Sequence, residues 1–233
     1  MVPPCRSKLD GFSGRSKTGA VLNQINAMVT QIFLIRHGET KWSLTGQHTG
    51  HTDLPLTENG ERRAAQLRGL LQAIKFTHVL TSPLQRARRT CELAGFGAVA
   101  RTEPDLHELD YGDYEGRTTA DIRSEHPGWS MFKDGSPQGE SVEKFSERAD
   151  RVRASLRSMD GTIALFSHGQ FLRALAARWI GLPVQEGQHF ALDTASVSIL
   201  GYEHTNEETP AITLWNAVTN KTFSLSFPLS GEQ

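Results

Sequence analysis

Two short segments of this chain, Ile32-Phe33-Leu34-Ile35 and Ile163-Ala164-Leu165-Phe166, are apolar at every position, and each runs straight into a histidine followed by glycine: Arg36-His37-Gly38 and Ser167-His168-Gly169. A strand apolar at successive positions has both faces covered, so these segments read as central strands of an α/β sheet rather than as half-solvated antiparallel ribbons. In open α/β sheets ligand sites lie beyond the carboxyl ends of the strands, where both histidines fall. Gly38 permits a sharp turn or close backbone approach, and Arg36 offers a planar fork of donors suited to phosphate or carboxylate. Alone, an Arg-His-Gly at a strand end is more often a solvated terminus than a site. Its company elsewhere in the chain changes that weighting.

A third short strand, Val79-Leu80-Thr81, ends at Ser82-Pro83 and leads into a helical pattern from Leu84 to Ala94 that carries Arg86. Thr57 signals the start of a helix whose apolar face is Ala64, Leu67, Leu70, Leu71 and Ile74. Val142, Phe145, Ala149, Val152 and Leu156 mark an amphipathic helix, and Phe171 to Ile180 reads as another. Lys41 to Asp53 reads as a polar loop. Residues 104 to 140 form a long, partly irregular excursion with a short helix at Thr119 to Ser124, and such excursions usually carry function or are disordered. Val197 to Leu200 and Ile212 to Trp215 read as later, antiparallel strands.

With 233 residues, the chain is long enough for one large α/β domain. Its 25 basic and 26 acidic side chains leave a net charge of −1, so no global field draws it to nucleic acid or an anionic membrane, and any phosphate affinity must be local. Two cysteines, Cys5 and Cys91, make neither a disulfide framework nor a zinc site, which fits a reducing cytoplasm. No apolar run has the length of a membrane span or a secretory signal. Residues 1–28 read as a disordered extension, or as an over-long start with Met28 the true initiator, and residues 29–233 as a single domain.

Two histidines, two arginines (Arg36 and Arg86) and the acid of Glu108-Leu109-Asp110-Tyr111-Gly112 make a set suited to phosphoryl transfer. Six segments in this order resemble the histidine phosphatase superfamily, which includes the cofactor-dependent phosphoglycerate mutases. They are RHGET (Arg36 to Thr40), the run from Trp42 to Thr57, SPLxRARRT (Ser82 to Thr90), Leu106 to Gly116, Asp134 to Ser141, and SHG (Ser167 to Gly169). The resemblance spans residues 31 to 216. It implies a three-layer α/β/α sandwich with a mostly parallel central sheet, phosphoglycerate mutase-like, and helices on both faces. It further implies that His37 is the nucleophile forming a phosphohistidine, that Arg36, Arg86 and His168 clamp the phosphoryl oxygens, and that Glu108 is the general acid. Substrate contacts are expected at Ser43, Thr49, Gly50, Tyr111 and Gly169, with no metal and no cofactor. Ser43 stands where many members have Asn, which puts its phosphate contact in question.

Mutases of the family follow the acid with a basic residue and carry an arginine-bearing insertion. Here Leu109-Asp110 follows the acid, and only 59 residues separate Glu108 from His168. Trp42-Ser43 with Gly46 to Gly50, and Tyr111 to Gly116, look most like the branch of sedoheptulose-bisphosphatase-like sugar phosphatases. The expectation is a cytoplasmic, metal-independent phosphatase acting on small phosphorylated metabolites, sugar phosphates or bisphosphates first, with no nucleic-acid or membrane partner; the sequence leaves its oligomeric state open. A cofactor-dependent mutase and a non-catalytic phospho-ligand-binding protein are the alternatives. His48 and His51 lack the spacing of a metal site, His107 abuts Glu108, and Lys41, Arg117 and Lys133 lie in segments that could reach a pocket mouth.

Overall fold

A computed structural model describes residues 30–203 and 209–218; the reading of residues 1–28 lies outside them. Strand β1 (Gln31–Arg36) is central, followed by helices α1 (Lys41–Thr45) and α2 (Glu58–Leu71), β2 (His78–Thr81), α3 (Gln85–Leu93) and the short β3 (Arg101–Thr102). The excursion holds two 3-10 turns, α4 (Thr119–Glu125) and α5 (Met131–Asp134), before α6 (Val142–Arg157), β4 (Thr162–Ser167), α7 (Gly169–Trp179), β5 (Ser196–Tyr202) and β6 (Pro210–Val218). The six strands lie in the order β3-β2-β4-β1-β5-β6. β1, β4, β2 and β3 run parallel, and β5 and β6 complete the sheet in antiparallel pairing.

Period-2 alternation explains why β1 and β4 are apolar throughout. Ile32, Leu34, Ile163 and Leu165 point to one face, where Phe145, Ala149, Val152 and Leu156 of α6 and Phe171, Leu172 and Leu175 of α7 pack. Phe33, Ile35, Ala164 and Phe166 point to the other, onto Leu67 and Leu71 of α2 and Cys91 of α3. The sheet is thus covered on both sides, as a three-layer α/β/α arrangement requires.

Register then sets the site. Arg36 lies opposite Ser167 on β4, and Thr81 opposite Phe166, so three strands end on one edge of the sheet and deliver His37, His168 and Ser82 side by side. His37 N–H donates to the Ser167 carbonyl at 2.9 Å, extending the ladder by one bond beyond the end of β1. Immediately after it the chain presses against the start of α2. A Cβ on Gly38 would come within 2.6 Å of the Gly60 carbonyl, so no other residue fits without displacing the helix.

One segment differs from its sequence reading. The polar run after β1 is not all loop: α1 forms because Thr40 and Ser43 make a reciprocal capping box and Gly46 closes the helix in the left-handed region at φ 77°. Polar capping residues look like loop composition when helical periodicity alone is counted.

Candidate active site

The Arg36-His37-Gly38-Glu39-Thr40 motif divides its labour. Glu39 accepts from Thr57 Oγ at 2.6 Å and Asn59 Nδ2 at 3.0 Å, tying β1 to the start of α2. Thr40 caps α1, leaving Arg36 and His37 to face a polar cavity of about 260 Å³. Arg36, His37, Ser43, His48, Thr49, Glu108, Tyr111, Gly169, Gln170 and Arg173 are among its lining residues. A larger recess of about 590 Å³ lies by Tyr114, His126 and Trp129, but the His-Arg-Glu set is not there.

His37 is 5% exposed. Its Nδ1 lies 2.7 Å from the Gly38 carbonyl, which accepts only if Nδ1 carries the proton, so the Nε2 lone pair is left for nucleophilic attack. Burial first, then the positive charges of Arg86 and Arg36, hold its pKa well below the ordinary histidine value. The imidazole is neutral, as a nucleophile must be.

His168 lies alongside, with ring centroids 5.2 Å apart. Its Nδ1 accepts from Arg86 Nε at 3.1 Å, and because arginine can only donate, the ring proton sits on Nε2, which donates to Ser82 Oγ at 2.7 Å. Arg86 is fully buried; its Nη1 donates to the Thr52 carbonyl at 3.0 Å, and its Nη2 to the carbonyls of Thr49 at 3.1 Å and Gly50 at 2.9 Å. Those carbonyls are themselves aimed by Glu115, which accepts from Gly50 N at 2.8 Å and Thr52 N at 3.1 Å. Arg86 and His168 therefore form a rigid wall behind His37, outside the residues lining the cavity.

Arg36 is placed differently. Its Nη1 donates to the Leu192 carbonyl, while its Nε is buried and has no hydrogen-bond partner, one of two such side-chain atoms among the described residues. The segment that holds it is lashed to the sheet edge. Trp215 Nε1 donates to the Ala191 carbonyl at 2.6 Å, Asp193 N donates to Asn216 Oδ1 at 2.8 Å, and Ala195 N donates to the His37 carbonyl at 3.0 Å. A Cβ at Gly169 would meet the Arg36 guanidinium at 3.2 Å, so any side chain there would push the guanidinium aside by a few tenths of an ångström.

Glu108 closes the site from the excursion. Its carboxylate sits at the N-terminus of α7, accepting from Phe171 N at 3.0 Å, Gln170 N at 3.1 Å and Leu109 N at 2.9 Å. These three contacts fix the position of the carboxyl group at the cavity wall.

Of the expected substrate contacts, Ser43, Thr49, Tyr111 and Gly169 line the cavity, whereas Gly50 lies behind it, with its amide on Glu115 and its carbonyl on Arg86. The Ser43 hydroxyl is engaged in the α1 capping box. His48 lies in the wall rather than at a metal site, stacked on Tyr111 at 4.6 Å, and burial lowers its pKa to about 4. His107 donates from Nδ1 to the Glu108 carbonyl at 2.6 Å, and Arg117 pairs with Glu125. Arg117, Lys41 and Lys133 are not among the lining residues. Sequence reading missed Gln170 and Arg173. They sit one and four residues beyond Gly169, on the turn of α7 facing the cavity, which helical spacing from the SHG motif could have flagged. No group of three or more His, Cys, Asp or Glu among the described residues is arranged to hold a metal ion.

The family model of the histidine phosphatase superfamily (branch 1) matches residues 32–218. The chain belongs to this superfamily. An acid phosphatase of Mycobacterium tuberculosis is 43% identical over 178 residues, covering 75% of this chain and 87% of the relative. Sedoheptulose 1,7-bisphosphatase of Saccharomyces cerevisiae is 29% identical over 255 residues, covering 81% and 93%. The solved structure of an open reading frame product from Mycobacterium tuberculosis superposes with a TM-score of 0.76 at 38% identity, covering 81% of this chain and 98% of that one. Membership of the superfamily, with phosphatases among its relatives, places the chain among the phosphoric monoester hydrolases.

Proposed function

We propose that the chain hydrolyses small phosphorylated metabolites, sugar phosphates or bisphosphates first, through a phosphohistidine on His37. The observation that carries this reading is the neutral His37, its Nδ1 proton held by the Gly38 carbonyl, beside a buried Arg36 Nε with no partner. Nε2 attacks phosphorus in line, while Arg36 donates to an equatorial oxygen. Arg86 supplies fixed positive charge from behind, with His168 holding its guanidinium in place. Charge spread over equatorial oxygens is stabilised best by cations that need not reorganise. Glu108, at the cavity wall, gives a proton to the leaving alkoxide and then takes one from the water that hydrolyses the phosphohistidine, a contribution of about 100- to 10,000-fold.

Arg173, partly buried and lining the same cavity, supports an anionic substituent on the substrate beyond the transferred phosphoryl group. The sugar bisphosphate acted on by the yeast relative fits that description. The test is inorganic phosphate release from sugar phosphates, sugar bisphosphates and phosphoglycerates with a chelator present. Release is expected without added metal, and His37→Ala should abolish both turnover and covalent phosphate labelling while leaving the fold intact. Isomerisation of phosphoglycerate that depends on a bisphosphorylated primer would instead identify a mutase. Ligand binding without turnover would identify a binding protein.

A further inference from the structure

The Asp134–Ser141 motif carries a glutamate, Glu140, that does not line the cavity. It meets Arg148, which falls between Phe145 and Ala149 on the apolar face of α6 and is only 2% exposed. All five guanidinium donors are used. Nε and Nη2 donate to the two Glu140 carboxylate oxygens at 2.8 and 2.7 Å. Nη1 donates to the carbonyls of Asp105 and His107, both at 2.8 Å, and Nη2 also reaches the Glu108 carbonyl at 3.4 Å. The rings of Phe145 and Phe171 lie at 5.2 and 4.7 Å from the guanidinium carbon.

A fork held bidentate by a carboxylate and packed between rings cannot swing, so the three carbonyls it holds are fixed with it. As a stabilising device the pair is a poor choice, since a buried ion pair is often no better than apolar side chains of its volume. As a positioning device it is well placed: it grips the main chain on both sides of Glu108, while the first turn of α7 grips the carboxylate. We propose that Arg148, braced by Glu140, is a positioning residue that fixes the main chain of Glu108 so that its carboxyl group stays within reach of the leaving oxygen. This rests on Glu108 acting as the general acid.

The experiment compares kcat and KM on 4-nitrophenyl phosphate, whose leaving group needs little protonation, and on glycerol phosphate, whose alkoxide needs it. It uses wild type, Glu108→Gln, Arg148→Lys and the double variant, with thermal melts alongside. Arg148→Lys is expected to lower kcat on glycerol phosphate on the order of 100-fold, as a displaced catalytic group does, with little change in KM and a far smaller loss on the aryl ester. In the Glu108→Gln background it should add almost nothing. Equal losses on both substrates that multiply with those of Glu108→Gln would overturn the proposal. If Glu108→Gln by itself slows both substrates equally, the acid assignment fails, and the coupling between positions 108 and 148 still decides the positioning role. Should Arg148→Lys not fold, Glu140→Gln, which keeps one acceptor oxygen for the guanidinium, goes through the same comparison; if neither variant folds, the pair is structural and the proposal falls.

Discussion

Three histidines near the cavity are kept neutral by burial: His37, His168 and, at about 4, His48. For each, the folded state resists a proton that the unfolded chain accepts near 6.5. Between the two values the unfolded state binds more protons, so stability is fully present above the unfolded pKa and drains away as the pH falls below it. For His48 the window runs from 6.5 down to about 4, with a slope of at most about 1.4 kcal/mol per pH unit. His48→Phe keeps a ring against Tyr111 and removes the titration. Its melting temperature should fall less steeply than that of the wild type across this window, and an unchanged slope would refute the assignment. If turnover runs through His37 as proposed, the same burial, with the charges of Arg86 and Arg36, should move its acid limb below the ordinary histidine range in a pH–rate profile. Arg36, His37 and Glu108 were legible in the sequence because each sits in a short motif. The hydrogen bonds that set the tautomers of His37 and His168 were not, since they depend on a neighbouring carbonyl and on a guanidinium that is distant in the chain.

At the level of elements, the loops rather than the sheet hold what the sequence concealed. The segment after α1 and the excursion around Gly116 are knitted by His48 N to the Arg117 carbonyl at 2.8 Å, Gly116 N to the His48 carbonyl at 2.9 Å and Gln47 Nε2 to the Gly116 carbonyl at 2.7 Å. Within that knit, Glu115 aims the carbonyls that hold Arg86. Glu115→Gln removes the charge on those contacts, and hydrogen bonds to charged groups contribute about 1.5–3 kcal/mol each. The variant should therefore melt at a lower temperature and, on the proposed mechanism in which the Arg86 charge serves every substrate, turn over more slowly on aryl and alkyl phosphates alike. A selective loss on the alkyl ester would place Glu115 with the acid instead. The α6 and α2 faces were readable from 3.6-residue periodicity, and β1 and β4 from their unbroken apolar runs. Helix α1 was not, because a five-residue helix defined by its caps leaves no periodic trace. Arg148 was hidden for a related reason: a charged residue between two apolar positions reads as a helix edge until the carboxylate it pairs with is known.

Across the whole molecule, one decision in the sheet governs the rest. Placing β4 between β1 and β2 brings the ends of three parallel strands to a single line, and parallel pairing is what two-sided apolar runs predict. The antiparallel pair β5 and β6 was also foreseen, but not its purpose. Trp215 and Asn216 of β6 hold the 191–195 segment, whose Leu192 carbonyl receives Arg36. The outermost strand therefore helps to place Arg36, although none of its residues lines the cavity. Occupancy of the phosphoryl position should thus be felt at the sheet margin as a change in breathing. Saturating inorganic phosphate is expected to slow amide hydrogen exchange at Asp193 and Ala195, whose N–H groups tie that segment to Asn216 and His37, leaving exchange in α6 unaltered. Uniform slowing over the whole chain would mean that ligand merely shifts global unfolding. A response confined to the 191–195 segment would make this strap a gauge of whether the pocket is full.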